Sequence, residues 1–94
     1  MRMDHQLSET IDEIRRAIDE SDTILLKALA ARFRAVRVLR EAKSQAKMPV
    51  EDLSREAQLK STWKNQAATL GVPEPLALLM LDFILAESKR TQTS

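Results

Sequence analysis

From Met1 to Lys47 the chain contains neither Gly nor Pro, so nothing in this half obliges a helix to stop once it has begun. Within it, Ile11, Ile14, Ile18, Leu25, Leu29, Val36 and Leu39 recur at steps built from three and four residues. That spacing marks one buried face of an α-helix. The stretch from Ile11 to Lys43 therefore predicts a single uninterrupted helix, which at ~1.5 Å per residue spans roughly 50 Å. Such a helix outruns the core that a chain of 94 residues can build around it. The missing core is most simply supplied by a second copy, so the expectation is a dimer.

The polar residues before about Ser8 read as a frayed tail, and Thr10 with Glu13 has the spacing of a capping box. Pro49 disfavours helical geometry in the residue before it, so helix 1 should end around Ala46 to Met48. A second helix is expected from Val50 or Glu51 to about Leu70, with Glu51 and Asp52 at its positive dipole end and Leu59, Trp63 and Ala67 on its apolar face. Gly71-Val72-Pro73 then provides a left-handed cap followed by a residue that cannot continue the helix. A third helix should run from Glu74 or Pro75 to near Gln92, with Leu76, Leu79, Met80, Phe83, Ile84 and Glu87 as its apolar face giving way to polar residues. One Gly, three aromatic residues (Phe33, Trp63, Phe83) and 44% apolar content complete the case for an all-α protein of three helices in one domain.

Charge narrows the function classes. The formal net charge is +1, which does not suit a nucleic-acid binder. It is polarised along helix 1: seven acids against two arginines from Asp4 to Asp22, then seven bases against one acid from Lys27 to Lys47. This follows the helix dipole and lets two copies pair antiparallel, acidic half along basic half. With no Cys there is no disulfide or thiolate metal site, which fits a reducing compartment. No apolar run approaches the ~20 residues of a membrane span and the N-terminus lacks an apolar signal core, so a cytoplasmic protein is expected. A further fused or regulatory domain is not expected.

Several cations occupy places where a purely structural helix would carry Leu or Ala. Arg15 and Arg32 are 17 residues apart, so they lie about 25 Å apart along one helix and differ in direction by about 100°. One chain cannot easily close both on one small molecule. Arg32 and Lys43 point within about 20° of each other at ~16 Å, close enough for two long side chains to converge on a ligand. In an antiparallel pair crossing near Ile24 to Leu26, the partner's Arg15 falls level with about Arg37, between those two. Helix 2 adds Asp52, Arg55 and Glu56 on one face, and helix 3 ends with Ser88 and Gln92 at i, i+4. Taken singly, each of these reads as a solvated surface group. No Ser-His-Asp or Cys-His arrangement, metal cluster or phosphate loop is present in the pattern, and His5 is given no role.

Taken together, Ile14-Arg15, Asp22, Leu25-Leu26, Arg32, Lys43, Pro49-Val50, Asp52, Arg55-Glu56, Glu87-Ser88 and Thr91-Gln92 resemble the all-α chorismate mutase family over about residues 10 to 92. The resemblance implies an intertwined homodimer with two sites, each built from both chains, and a cofactor-free, metal-free Claisen rearrangement of chorismate to prephenate in phenylalanine and tyrosine biosynthesis. By that resemblance Arg15 of the partner chain and Arg32 bind the two carboxylates, with Ser88 assisting at one. Lys43 and Gln92 donate hydrogen bonds to the ether oxygen of the breaking bond. Glu56, with the backbone near Asp52, holds the ring hydroxyl, and Arg55 supports that corner.

Two rival readings remain. Isochorismate-pyruvate lyase shares the fold and the clamp, but members of that branch lack the Arg-Glu pair that Arg55-Glu56 provides here. A non-enzymatic helical interaction module would use the basic Arg34, Arg37, Arg40 and Lys47, and would show salt-dependent binding to nucleic acid or to an acidic partner.

Overall fold

A computed structural model describes residues 2–49 and 52–93, and the side chains of residues 5–49 and 52–90. The fold is all-α: the described residues form α1 (Arg2–Gln45), α2 (Leu53–Leu70) and α3 (Glu74–Thr93), with no strand among them. By contact the chain divides into two compact units, Met1–Arg34 and Ala35–Ser94, with the boundary inside α1.

The first unit is helical from Arg2 onward, so α1 begins well before Ser8. Thr10 does not cap it. Its hydroxyl lies within the helix and donates to the Gln6 carbonyl at 2.9 Å, the bond a hydroxyl makes to the preceding turn when no free helix end is available. The face marked by periodicity is uncovered in the single chain, with Ile11, Ile14, Ile18 and Leu25 all 45–54% exposed. Leu29 is half-buried. Burial requires a covering surface, and helical periodicity records where that surface belongs without recording which molecule supplies it.

The second unit holds the core: Val36, Ala67, Ala77, Leu81 and Ile84, with Leu81 fully buried. Here α1 ends in a paired cap. The Met48 N–H donates to the Lys43 carbonyl at 2.9 Å and the Lys47 N–H to the Ser44 carbonyl at 3.2 Å. Lys47 itself takes the left-handed conformation, φ 57°. This is the Schellman arrangement, which satisfies carbonyls that lie beyond the reach of intrahelical donors. Gly71 does the same for α2 at φ 77°, with the Gly71 and Val72 N–H groups both directed to the Ala67 carbonyl.

Only Gly71, Val72 and Pro73 separate α2 from α3, so the two form a helical hairpin. Two ion pairs show that they run antiparallel: Lys64 with Glu74 near the turn, and Glu56 with Lys89 at the far end. Leu59 and Trp63 are half-buried and Ala67 buried on α2, as their spacing predicts. The face of α3 is corrected in part: Ile84 is buried and Met80 half-buried as expected, but the rest of the inward face differs. Ala77, Leu81, Ile84 and Ser88 are the buried positions, whereas Leu76, Leu79 and Phe83 are exposed. This helix is apolar on more than one side, so periodicity alone does not choose which side turns inward. No described helix is long and apolar enough to cross a membrane.

Candidate active site

The start of α2 is built by its cap. Asp52 is the N-cap residue, extended at φ −132°, and its carboxylate accepts the Arg55 N–H at 2.9 Å. The helix therefore begins at Leu53, later than expected, because a carboxylate that caps a helix stands just outside it. The expected starting residues Val50 and Glu51 lie outside the described residues. Arg55 is exposed, and its guanidinium donates to Gln58 Oε1 at 2.7 Å. Asp52, Arg55 and Glu56 are thus neighbours with three different employments rather than one mutual ion-pair set. The Glu56 N–H closes the first turn on the Asp52 carbonyl at 3.0 Å.

The Glu56 side chain turns toward α3 and is only 18% exposed. Its Oε1 lies 2.6 Å from Lys89 Nζ. This ion pair bridges the open end of the hairpin, and its Lys89 directly follows the buried Ser88 in α3. Ser88 continues the Ala77, Leu81, Ile84 face by one more turn, placing a hydroxyl where the three preceding positions are apolar. Burial of a hydroxyl is costly unless it is bonded, and Ser88 Oγ donates to the Ile84 carbonyl at 2.7 Å. Glu87, on the exposed side, forms a two-pronged pair with Arg90. Hydrogen bonding to Arg90 holds the Glu87 carboxyl below, and the Arg90 guanidinium above, their ordinary values.

The residues expected on α1 fall in both units. Arg15 is exposed and Arg32 half-buried, both in Met1–Arg34. Lys43 belongs to Ala35–Ser94, in the last turn of α1, and is half-buried. The Schellman cap grips its own carbonyl, so the backbone that carries this cation is fixed at a helix end. Gln92 lies on α3 one turn beyond Ser88; its side chain is outside the described residues. The second unit thus brings Glu56 and Ser88 to one end of the hairpin, with Asp52 and Arg55 on the adjoining first turn of α2.

Lys89 is a residue that the sequence reading passed over. A lysine next to Ser88 carries no distinctive pattern, but hairpin register offers a signal. Glu56 stands 16 residues before Val72 and Lys89 stands 17 after it, so an antiparallel hairpin turning at Val72 sets them level.

Residues 14–93 match the family model described as chorismate mutase type II. The chain belongs to that family. The match runs from Ile14, more than three turns into α1, through α3 and takes in every candidate named above, from Arg15 to Gln92. The activity that names this family is an isomerase activity on chorismate. No solved structure matches the chain.

Proposed function

We propose that the chain is a chorismate mutase, a cytoplasmic homodimer that rearranges chorismate to prephenate in phenylalanine and tyrosine biosynthesis. The observation that carries this reading is the Arg55-Glu56 pair at the start of α2, with the Glu56 carboxylate turned toward α3 and held by Lys89, in a member of this family. The lyase branch that shares the fold lacks that pair.

The reaction breaks one C–O bond and forms one C–C bond within a single molecule. It calls for no nucleophile and no proton transfer. It needs the flexible enolpyruvyl arm held over the ring, which two arginine–carboxylate contacts can impose. Arg32 of one chain and Arg15 of the other make that clamp, and the Ser88 hydroxyl assists at one carboxylate by turning away from the Ile84 carbonyl. As the C–O bond stretches, negative charge grows on the ether oxygen. Lys43 and Gln92 donate to that oxygen; fixed donors of this kind are worth ~3–4 kcal/mol each when removed. Glu56 accepts the ring hydroxyl, and the backbone near Asp52 adds a second contact there. Because Arg15 acts from the other chain, the uncovered apolar face of α1 and the incomplete clamp are answered by the same partner, a second copy.

The test is an assay of chorismate loss with identification of the product. Prephenate from chorismate supports the reading. Negligible prephenate together with rapid pyruvate release from isochorismate would replace it with the lyase.

A further inference from the structure

The resemblance leaves open what holds the Glu56 carboxylate. Among the described residues, the two other charged groups at the start of α2 are otherwise engaged. The Asp52 carboxylate caps the backbone of α2, and the Arg55 guanidinium is bonded to Gln58. The cation that reaches Glu56 comes instead from α3. We propose that Lys89 is a positioning residue for the rearrangement: it fixes Glu56 through Oε1 and leaves Oε2 directed to receive the ring hydroxyl of the substrate. This inference rests on the mutase reading and on the role given there to Glu56.

The hairpin contains its own control. Lys64 and Glu74 also bridge α2 and α3, but at 3.9 Å with side chains 61% and 49% exposed, as expected of a pair that water and salt screen. Glu56 and Lys89 meet at 2.6 Å with side chains 18% and 39% exposed. A charge-assisted bond this short and this sheltered restrains the rotation of the carboxylate. A glutamate has three rotatable side-chain bonds, and without such an anchor its acceptor oxygen would sample positions well beyond hydrogen-bond reach of one hydroxyl. Lys89 also follows Ser88 directly and precedes Gln92 by one turn of α3, so a single helix end carries the anchor together with two residues of the proposed site.

The test compares Lys89→Met and Lys89→Arg with the unmodified enzyme on chorismate and on a chorismate analogue lacking the ring hydroxyl. On chorismate, Lys89→Met should lower kcat/KM about 10- to 100-fold, the scale of loss when a reacting group is misplaced by about 1 Å. Lys89→Arg, which keeps the charge, should recover most of that loss. On the analogue, Lys89→Met and the unmodified enzyme should agree within about twofold, because the contact that Lys89 supports is absent from both. An equal loss on both substrates would make Lys89 a merely structural residue and overturn the proposal, as would Lys89→Met activity on chorismate within twofold of the unmodified enzyme. If the unmodified enzyme forms no prephenate, the proposed function falls and this inference falls with it. If it forms prephenate while Lys89→Met is silent, only the inference falls.

Discussion

Lys47 ends α1 with φ 57°, in the centre of the left-handed region. For an L-residue with a Cβ this conformation costs about 1–2 kcal/mol. Lys47→Gly removes that strain, while the greater freedom of Gly in the unfolded chain returns about 0.5–1 kcal/mol of it. At the middle of both ranges the net expectation is a stabilisation of about 0.75 kcal/mol. For a chain of this size each kcal/mol moves Tm by about 4–8 °C, so Lys47→Gly should raise Tm by about 3–6 °C. Lys47→Val should lower it, because a β-branched side chain tolerates positive φ worst. Thermal unfolding followed by circular dichroism, with all three proteins at one concentration, reads both signs. The Met48 N–H to Lys43 carbonyl bond is made by backbone alone, so Lys47→Gly should keep it and hold kcat within about twofold of the unmodified value. A Lys47→Gly protein that melts no higher, or a Lys47→Val protein that melts no lower, would show that the cap is not the seat of strain assigned to it.

Arg15→Ala and Lys43→Ala should each be nearly inactive alone. Mixed in equal amounts with subunit exchange, they should recover about one quarter of unmodified activity: half of the dimers are mixed, and one of the two sites in each has both residues. No recovery despite demonstrated exchange would refute a site shared between chains. Gln92→Glu should move the activity profile toward acid, since the introduced carboxyl donates to the ether oxygen only when protonated and loses that proton as pH rises through its pKa. An unchanged pH–rate profile would remove Gln92 from the ether oxygen. Leu81→Ala truncates the one large side chain that is fully buried among the described residues and should cost about 2–5 kcal/mol in denaturant unfolding; a loss below 1 kcal/mol would mean that the site collapses or that the core lies elsewhere.

The parts of the fold that sequence made legible are those governed by local chemistry. Gly71 had to be a left-handed cap because few other residues adopt that conformation without strain, and Pro49 placed the end of α1 to within a turn. Asp52 was displaced from the first turn to the cap by a choice that composition does not record: a carboxylate serves the same dipole from either position. The inward face of α3 is legible only in part: Ile84 lies inward as its spacing predicts, but Leu76, Leu79 and Phe83 compete with Ala77 and Leu81 for one interface. The small Ala67 and Ala77, both buried, permit a close approach of α2 and α3 that a count of large apolar residues undervalues. The family pattern was legible because its polar residues stand in fixed register across three helices. Lys89 was not, since its significance arises only where two helices meet, at a distance in sequence that no short motif spans.

The apolar stripe of α1 has a consequence for how such a protein exists at low abundance. Leu7, Ile11, Ile14, Ile18 and Leu25 together expose a row of large side chains to water in the lone chain. On the proposed reading their burial is a bimolecular event, so the free energy that holds the enzyme together contains the logarithm of its own concentration. Dilution would then dissolve the active site before any bond within a chain is disturbed. On that reading the quantity of protein made by a cell would become part of the folding equilibrium, and each newly made chain would be an incomplete catalyst until it met another.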